Sequence, residues 1–223
     1  MGENTPERSV IGPQQGQRVY TAGLPLDQAK AAMILLHGRG ATAPSILLLA
    51  EELYHPAYAY LAPQAAGDTW YPYTFLAPIQ NNEPWLSSAL SMVGDAVAQV
   101  EAAGIAAGRI VLGGFSQGAC LASEFVARNA RRYGGLLVFS GGLIGPPGTP
   151  RDYSGNLAGT PIFLGCSDSD PHIPKERVEE SAEVFERMGA SVTKKLYPNM
   201  GHTIAPDEIK LAREIVRVVD SQV

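Results

Sequence analysis

The sequence predicts an α/β fold with a mostly parallel central sheet and helices on both faces, because predicted strands and helices alternate along the chain. Short apolar runs that suit buried strands recur at 32–36, 57–62, 110–113, 136–139 and 161–164, with a more polar run at 192–197. Segments with helical periodicity lie between and after them, at 45–54, 87–103, 117–132, 175–189 and 206–219. In such sheets ligands bind at the carboxyl ends of the strands, so function is expected in the loops that follow them.

Length and composition predict one soluble domain. A chain of 223 residues is short enough to fold around a single core, which we place at residues 19–223. Residues 1–18 are polar and rich in Pro and Gly, and we expect them to form a flexible arm. They carry no basic segment followed by an apolar one, which predicts a cytoplasmic protein. No apolar run approaches the ~18 residues of a membrane span, so stable membrane insertion is not expected.

Charge and cysteine content exclude several classes of function. The formal net charge is -5 and the pI is about 5.4, which argues against a surface that binds nucleic acid. Two cysteines, Cys120 and Cys166, are too few for a disulfide framework or for zinc-ligand spacing. We therefore expect neither a metal ion nor an organic cofactor. The sequence leaves the oligomeric state open, a homodimer included.

A G-x-S-x-G pattern marks the candidate nucleophile. It reads Gly114-Phe115-Ser116-Gln117-Gly118, directly after the predicted strand 110–113 and before a predicted helix. A strand, a sharp turn and a helix in this order would lift the serine above the sheet, and side chains at both glycine positions would collide with neighbouring backbone. The context predicts that Ser116 is a nucleophile.

A serine nucleophile needs a histidine base and a carboxylate that orients the histidine. The usual order of serine, acid and histidine in this kind of fold leaves His172 and His202. His202 follows the last predicted strand, where it could reach back over the sheet, whereas His172 is better suited to line a pocket. Asp168 and Asp170 compete as the acid, since both follow strand 161–164. Spacing favours Asp170 only slightly, and Asp168 could instead shape the loop.

Two further loops are expected near the nucleophile. The loop at 37–40 is rich in glycine and follows the first predicted strand, so backbone N–H groups of Arg39 and Gln117 are candidate donors to an oxyanion. The long segment 63–86 concentrates aromatic residues and is more often functional than idle. We expect Trp70 and Tyr71 of this segment, together with His37 and His172, to contact substrate. The alternative is that the aromatic side chains pack the segment onto the sheet and that His37 only shapes its loop.

Four sequence blocks resemble the phospholipase/carboxylesterase group of α/β-hydrolases, which includes the acyl-protein thioesterases. The blocks are LLHGRGA at 35–41, GGFSQGA at 113–119, SDPHIP at 169–174 and YPNMGHTI at 197–204. The resemblance implies an α/β-hydrolase fold, with Asp170 as the acid before the proline and His202 as the histidine of the Gly-His pair. It also implies hydrolysis of esters or thioesters through an acyl-enzyme, with the amides of Arg39 and Gln117 as oxyanion donors.

Local departures favour one branch of this group. Acyl-protein thioesterases usually carry H-G-L-G-D where this chain has the residues HGRGA at 37–41, and Gly165-Cys166 stands where they have H-G. The W-Y-P and N-E-P-W blocks at 70–72 and 82–85 resemble the bacterial small-ester branch. A serine carboxylesterase acting on small esters of short to medium acyl chain is therefore predicted. The alternatives are a long-chain lysophospholipase or acyl-thioesterase, and a catalytically silent protein that only binds a ligand.

The connection between the predicted strands at 136–139 and 161–164 bears on access to the site. It contains only about twenty residues, GGLIGPPGTPRDYSGNLAG among them. That length is too short for a large helical cap domain. We therefore expect an open site.

Overall fold

The computed structural model describes residues 12–221, which form one sheet flanked by helices. The strands are β1 (Val19–Gly23), β2 (Ala31–Leu36), β3 (Tyr58–Pro63), β4 (Ile110–Phe115), β5 (Gly135–Phe139), β6 (Pro161–Ser167) and β7 (Ser191–Tyr197). The α-helices are α1 (Ala43–Glu52), α2 (Trp85–Ala102), α3 (Gln117–Arg128), α4 (Lys175–Arg187) and α5 (Pro206–Ser221).

The sheet is parallel except at one edge. Its strands lie in the order β1-β3-β2-β4-β5-β6-β7, and every neighbouring pair is parallel apart from β1 and β3. Each parallel strand is followed by a crossover that returns the chain to the same end of the sheet. The carboxyl ends of β4, β6 and β7 consequently point toward one edge of the molecule.

Alternating side chains of the central strands divide the core between the two faces. On β2, Ala32, Ile34 and Leu36 pack in the cluster that contains the buried faces of α2, α3 and α4. Met33 and Leu35 belong to a second cluster with α1 and α5. All six residues of β2 are fully buried because both faces of this strand are covered by helices.

The predicted α/β fold is confirmed, and each predicted strand and helix is present with bounds shifted by a few residues. The prediction missed β1, whose sequence VYTAG contains no apolar run and whose residues are half-buried or exposed. This strand is an edge strand held by its antiparallel pairing with β3. Residues 140–160 contain no helix, so no helical cap lies in the described part of the chain.

Residues 12–18, part of the segment expected to be an arm, pack against the domain. Gln14 is fully buried. Its side-chain amide donates to the carbonyls of Thr69 and Trp70 at 2.9 and 3.1 Å, and its oxygen accepts from the Ala66 amide at 2.8 Å. Gln14 thereby joins residues 12–18, which lead into β1, to the long 63–86 segment. Residues 1–11 lie outside the described residues.

None of the described helices is both long enough and apolar enough to cross a membrane.

Replacing Gln14 by Ala is expected to destabilise the fold by about 1–3 kcal/mol, because the substitution leaves buried backbone groups of the 65–70 region without partners. Equilibrium unfolding in urea measures this difference. Gln17→Ala is the matched control, since Gln17 is exposed. An equal and negligible effect of both substitutions would contradict the anchoring role.

Candidate active site

Ser116 lies on the turn between β4 and α3, in a backbone conformation that non-glycine residues rarely adopt. Its φ is +54° and its ψ is -120°. The Ser116 amide donates to the Phe139 carbonyl of β5 at 2.9 Å, which fixes the turn to the neighbouring strand. Positive φ at a serine is strained and is held only because the surrounding structure defines it. The result is a side chain raised above the carboxyl end of the sheet.

The two glycines of the motif are required by close backbone contacts. A Cβ atom at Gly114 would lie 2.5 Å from the Leu36 carbonyl oxygen, and one at Gly118 only 2.1 Å from the same atom. Such distances are impossible for real side chains, so the end of β2 and the start of α3 meet only because both positions lack a Cβ. The collision expected at both glycines of the G-x-S-x-G pattern is therefore confirmed.

A chain of two hydrogen bonds joins the serine to a histidine and an aspartate. His202 Nε2 lies 2.9 Å from Ser116 Oγ, and His202 Nδ1 lies 2.7 Å from Asp170 Oδ2. The three residues follow β4, β6 and β7, so the parallel sheet brings them together although 86 residues separate Ser116 from His202. A serine, a histidine and a buried carboxylate joined in this order have the arrangement of a Ser-His-Asp triad.

The environment of Asp170 favours its ionised form. Its carboxyl group is fully buried, and burial alone raises the pKa. The hydrogen bond with His202 and the amides of His172 and Ile173, at 2.8 and 3.0 Å from Oδ1, more than offset burial, so the pKa of Asp170 lies below its ordinary value. A carboxylate beside Nδ1 holds the proton on that nitrogen. Nε2 is then free to accept the proton of Ser116.

Asp168, the competing acid of the sequence analysis, has a different position. Its Oδ1 accepts a hydrogen bond from the Asn199 amide at 2.9 Å, and its own amide donates to the Tyr197 carbonyl at 2.9 Å. Both contacts join the loop after β6 to the loop after β7. Asp168 therefore holds the two loops together and does not contact His202 through any hydrogen bond among the described residues.

Two further residues position the His202 loop, and the sequence analysis missed both. Ser167 is fully buried, and its Oγ accepts from the amides of Met200 and Gly201 at 3.1 and 3.2 Å. Glu208, at the start of α5, accepts from the Ala205 amide at 2.6 Å and is also fully buried. These contacts fix the backbone on both sides of His202. A buried serine at a strand end and a glutamate in a first helical turn carry no distinctive sequence signal.

The glycine-rich loop after β2 lies against the Ser116 turn. A Cβ at Gly38 would lie 3.5 Å from both the Phe115 carbonyl oxygen and Ser116 Cβ. Within the described residues, the backbone N–H groups of Arg39 and Gln117 have no hydrogen-bond acceptor. Two unpaired amides beside the Ser116 turn match the arrangement of an oxyanion hole.

The side chains of Arg39 and Gln117 form hydrogen bonds with the backbone of residues 70–73. The Arg39 guanidinium donates to three successive carbonyls, those of residues 71, 72 and 73, at 3.0, 2.9 and 2.6 Å. Gln117 accepts from the Trp70 amide at 3.0 Å and donates to the Tyr71 carbonyl at 2.8 Å. The two side chains thus hold the 70–73 segment over the site. Sequence reasoning gave these side chains less weight than the amides.

A cavity of about 470 Å³ opens beside Ser116 and contains two of the four expected substrate contacts. Tyr71 and His172 line it. His172 packs edge-on against His202, with 4.8 Å between ring centroids. The remaining wall is formed by Arg39, Pro72, Tyr73, Thr74, Phe75, Phe115, Gln117, Cys120, Ile173 and His202. The 63–86 segment therefore supplies one side of the cavity.

His37 and Trp70, the other two expected contacts, do not line this cavity. Both are fully buried, and Trp70 Nε1 donates to the His37 carbonyl at 2.8 Å. His37 Nδ1 bonds the Gly38 carbonyl at 2.8 Å while its Nε2 accepts from the Ala65 amide at 3.0 Å. Burial lowers the pKa of His37, which keeps the ring neutral. Both side chains point into the protein and join the loop after β2 to the segment after β3. The sequence does not reveal this orientation.

Neither cysteine has the character of a metal ligand or a reactive thiol. Cys120 and Cys166 are free and buried. Burial raises the pKa of each thiol to about 12, so both are protonated at neutral pH. In the described part of the chain, no three His, Cys, Asp or Glu side chains come together in a group that could hold a metal ion.

Sheet order and the serine turn define an α/β-hydrolase fold, and the comparisons with known proteins agree. The chain belongs to the Phospholipase/Carboxylesterase family, whose model matches residues 24–219. A crystal structure of a phospholipase/carboxylesterase from Dyadobacter fermentans superposes with a TM-score of 0.87 at 46% sequence identity, covering 90% of this chain and 96% of that one.

Curated relatives carry the name acyl-protein thioesterase 1. The protein from Gibberella zeae is 34% identical over 119 residues, which are 51% of this chain and 49% of that protein. The protein from Eremothecium gossypii is 29% identical over 202 residues, 80% of this chain and 83% of that protein. The match thus spans about half the length of the first relative and most of the second.

The buried carboxyl of Glu208 predicts a pH-dependent stability. Burial raises its pKa to about 7, against 4.5 for the ordinary group. Between these values the folded state retains a proton that the unfolded state has lost, so this carboxyl makes the fold less stable as the pH rises from about 4.5 to 7. Replacing Glu208 by Gln removes this dependence and preserves an acceptor for the Ala205 amide.

Urea unfolding at pH 4.5 and pH 8 measures the effect. From pH 4.5 to pH 8, the unfolding free energy of Glu208→Gln is expected to rise by up to roughly 3 kcal/mol relative to that of the natural chain. Glu214→Gln, an exposed glutamate on the same helix, is the control and should track the natural chain. A Glu208→Gln variant with an unchanged pH profile would show that this carboxyl is ionised in the fold.

Proposed function

We propose that the chain is a serine hydrolase of carboxylic esters in which Ser116, His202 and Asp170 act as the catalytic triad. One observation carries the proposal: the uninterrupted hydrogen-bond chain from Ser116 Oγ through both nitrogens of His202 to a buried carboxylate. Membership of the Phospholipase/Carboxylesterase family supports the same reaction class.

The reaction follows from this geometry. Ser116 Oγ attacks the ester carbonyl carbon while His202 Nε2 takes the hydroxyl proton, and the oxygen that becomes negative accepts hydrogen bonds from the amides of Arg39 and Gln117. Collapse of the tetrahedral intermediate breaks the C–O bond, and His202 gives the proton to the departing alcohol. Water then attacks the acyl-enzyme with His202 again as base, which releases the acid and restores Ser116. No cofactor is needed in these steps.

The cavity beside Ser116 supports acyl groups of short to medium length. Its volume of about 470 Å³ lies within the range of sites for small molecules, and Tyr71, Phe75 and Ile173 give it an apolar wall. We place the acyl part of the ester in this cavity.

A thioesterase is the second candidate, and the names of the curated relatives favour it. A thioester carbonyl is attacked by the same nucleophile and stabilised by the same amides, so the triad geometry serves both reactions. The two candidates differ in substrate and share the residues that act on it. A silent ligand-binding protein, the third alternative, is disfavoured because its serine would have no need of an aligned base.

The triad predicts a large loss of activity for Ser116→Ala. We expect kcat/KM for p-nitrophenyl esters from acetate to palmitate to fall on the order of 10⁴-fold, since the nucleophile is removed. A fluorophosphonate probe is expected to label the natural chain and not this variant. Ser87→Ala, an exposed serine on α2, is the control and should retain both activity and labelling.

The outcomes separate the candidates. A maximum at short to medium acyl chains supports the carboxylesterase, and matched acyl thioesters hydrolysed much faster than the oxygen esters would support the thioesterase. Absence of both labelling and turnover in the natural chain would overturn the proposal and favour the ligand-binding alternative. Activity that survives in Ser116→Ala would show that another residue is the nucleophile.

A further inference from the structure

A second cavity, of about 690 Å³, lies between α1 and α5 on the other side of Phe115 from the first. We call it the α1–α5 groove. Its floor and walls are mainly aliphatic, formed by Ile46, Leu49, Ile204 and Ile209 together with the Phe115 ring. A groove of this size and character can hold an apolar group of several carbon atoms.

The groove adjoins the candidate active site, with Phe115 as the lining residue that the two cavities share. Phe115 lines both cavities, and its ring centroid lies 4.8 Å from that of His202. Gly38, another lining residue of the groove, lies so close to the nucleophile that a Cβ there would be 3.5 Å from Ser116 Cβ. Ile204 follows His202 by two residues. The groove therefore begins where the proton-transferring side chain lies.

Ester chemistry requires two diverging spaces around the nucleophile. The acyl substituent and the alcohol substituent leave the carbonyl carbon in different directions, and the alcohol oxygen must lie near His202 Nε2 to receive its proton. Tyr71 and Cys120 line the first cavity next to the Gln117 amide, which suits the acyl side. Phe115, whose ring packs against His202, lines the groove together with Ile204, which suits the departing alcohol.

The charges at the rim restrict which alcohol fits. Glu51 and Glu52 lie at the outer end of the groove with Arg213, whose guanidinium donates to the Glu52 carboxylate at 3.2 Å. The pairing leaves a net negative rim, which repels an anionic group such as a phosphodiester. Neutral alcohols are favoured over the headgroup of a phospholipid.

We propose that the α1–α5 groove is the alcohol-side subsite and that the substrates are carboxylic esters of neutral, apolar alkyl or aryl alcohols. The proposal rests on the function proposed above and adds the identity of the leaving group. Each methylene of the alcohol that enters the groove is expected to raise kcat/KM roughly threefold, because apolar surface leaves water as the transition state forms.

The test uses two ester series that lengthen opposite ends of the substrate. One series contains acetate esters of alcohols from ethyl to octyl, and the other contains ethyl esters of acids from acetic to octanoic. Hydrolysis is followed by proton release. Ile209→Trp fills the groove, Ile209→Ala enlarges it, and Glu214→Trp adds the same bulk at an exposed position of α5 outside the groove.

In Ile209→Trp we expect kcat/KM for octyl acetate to fall about tenfold or more, while the values for ethyl acetate and ethyl octanoate stay within about twofold. Ile209→Ala is expected to lower the value for hexyl acetate about threefold, which tests the groove even if the tryptophan variant fails to fold. Glu214→Trp should behave as the natural chain.

Other results would overturn the proposal. A loss confined to ethyl octanoate would assign the groove to the acyl chain, and unchanged values in both series would show that it holds no part of the substrate. Faster cleavage of anionic lysophospholipids than of octyl acetate would contradict the stated alcohol class. If the proposed function itself fails, neither series is hydrolysed by the natural chain and the fluorophosphonate probe leaves Ser116 unlabelled.

Discussion

The close approach of the end of β2 to the start of α3 is the constraint on which the site depends. The Leu36 carbonyl oxygen occupies the space where side chains at Gly114 and Gly118 would stand. This contact brings the loop after β2 to the serine turn, so that one candidate oxyanion donor comes from each segment. Between the two glycines, Ser116 has a positive φ because the chain leaves β4 and enters α3 within one residue.

Hydrogen bonds hold the other loops of the site around this contact. Arg39 and Gln117, which flank it, hold residues 70–73 through side-chain hydrogen bonds. Trp70 and His37 fill the space beneath these residues, and the Trp70 indole N–H donates to the His37 carbonyl. On the opposite side, Ser167 and Asp168 tie the loop that follows β6 to the loop that carries His202. The loops around Ser116 and His202 are thereby positioned by hydrogen bonds from side chains to backbone, which support the geometry of the candidate site.

Sequence patterns predicted the parts of the molecule that follow from periodicity and from local steric rules. The central strands are apolar on both faces, and the motif around Ser116 has a conformation that only glycine neighbours permit. The edge strand β1 escaped prediction because its stability comes from pairing with β3, a long-range contact. The same limit applies to Trp70 and His37, whose side chains are fully buried and do not line the cavity beside Ser116. Local sequence does not encode which way a loop side chain points.

In Arg39 and Gln117 the backbone amide and the side chain serve different purposes, and this difference has an evolutionary consequence. Every amino acid except proline supplies a backbone N–H, so the candidate oxyanion donors persist through almost any substitution at these two positions. Their side chains instead set the position of residues 71–73, which form a wall of the cavity beside Ser116. Drift at positions 39 and 117 can therefore reshape the wall of this cavity while both backbone amides are retained.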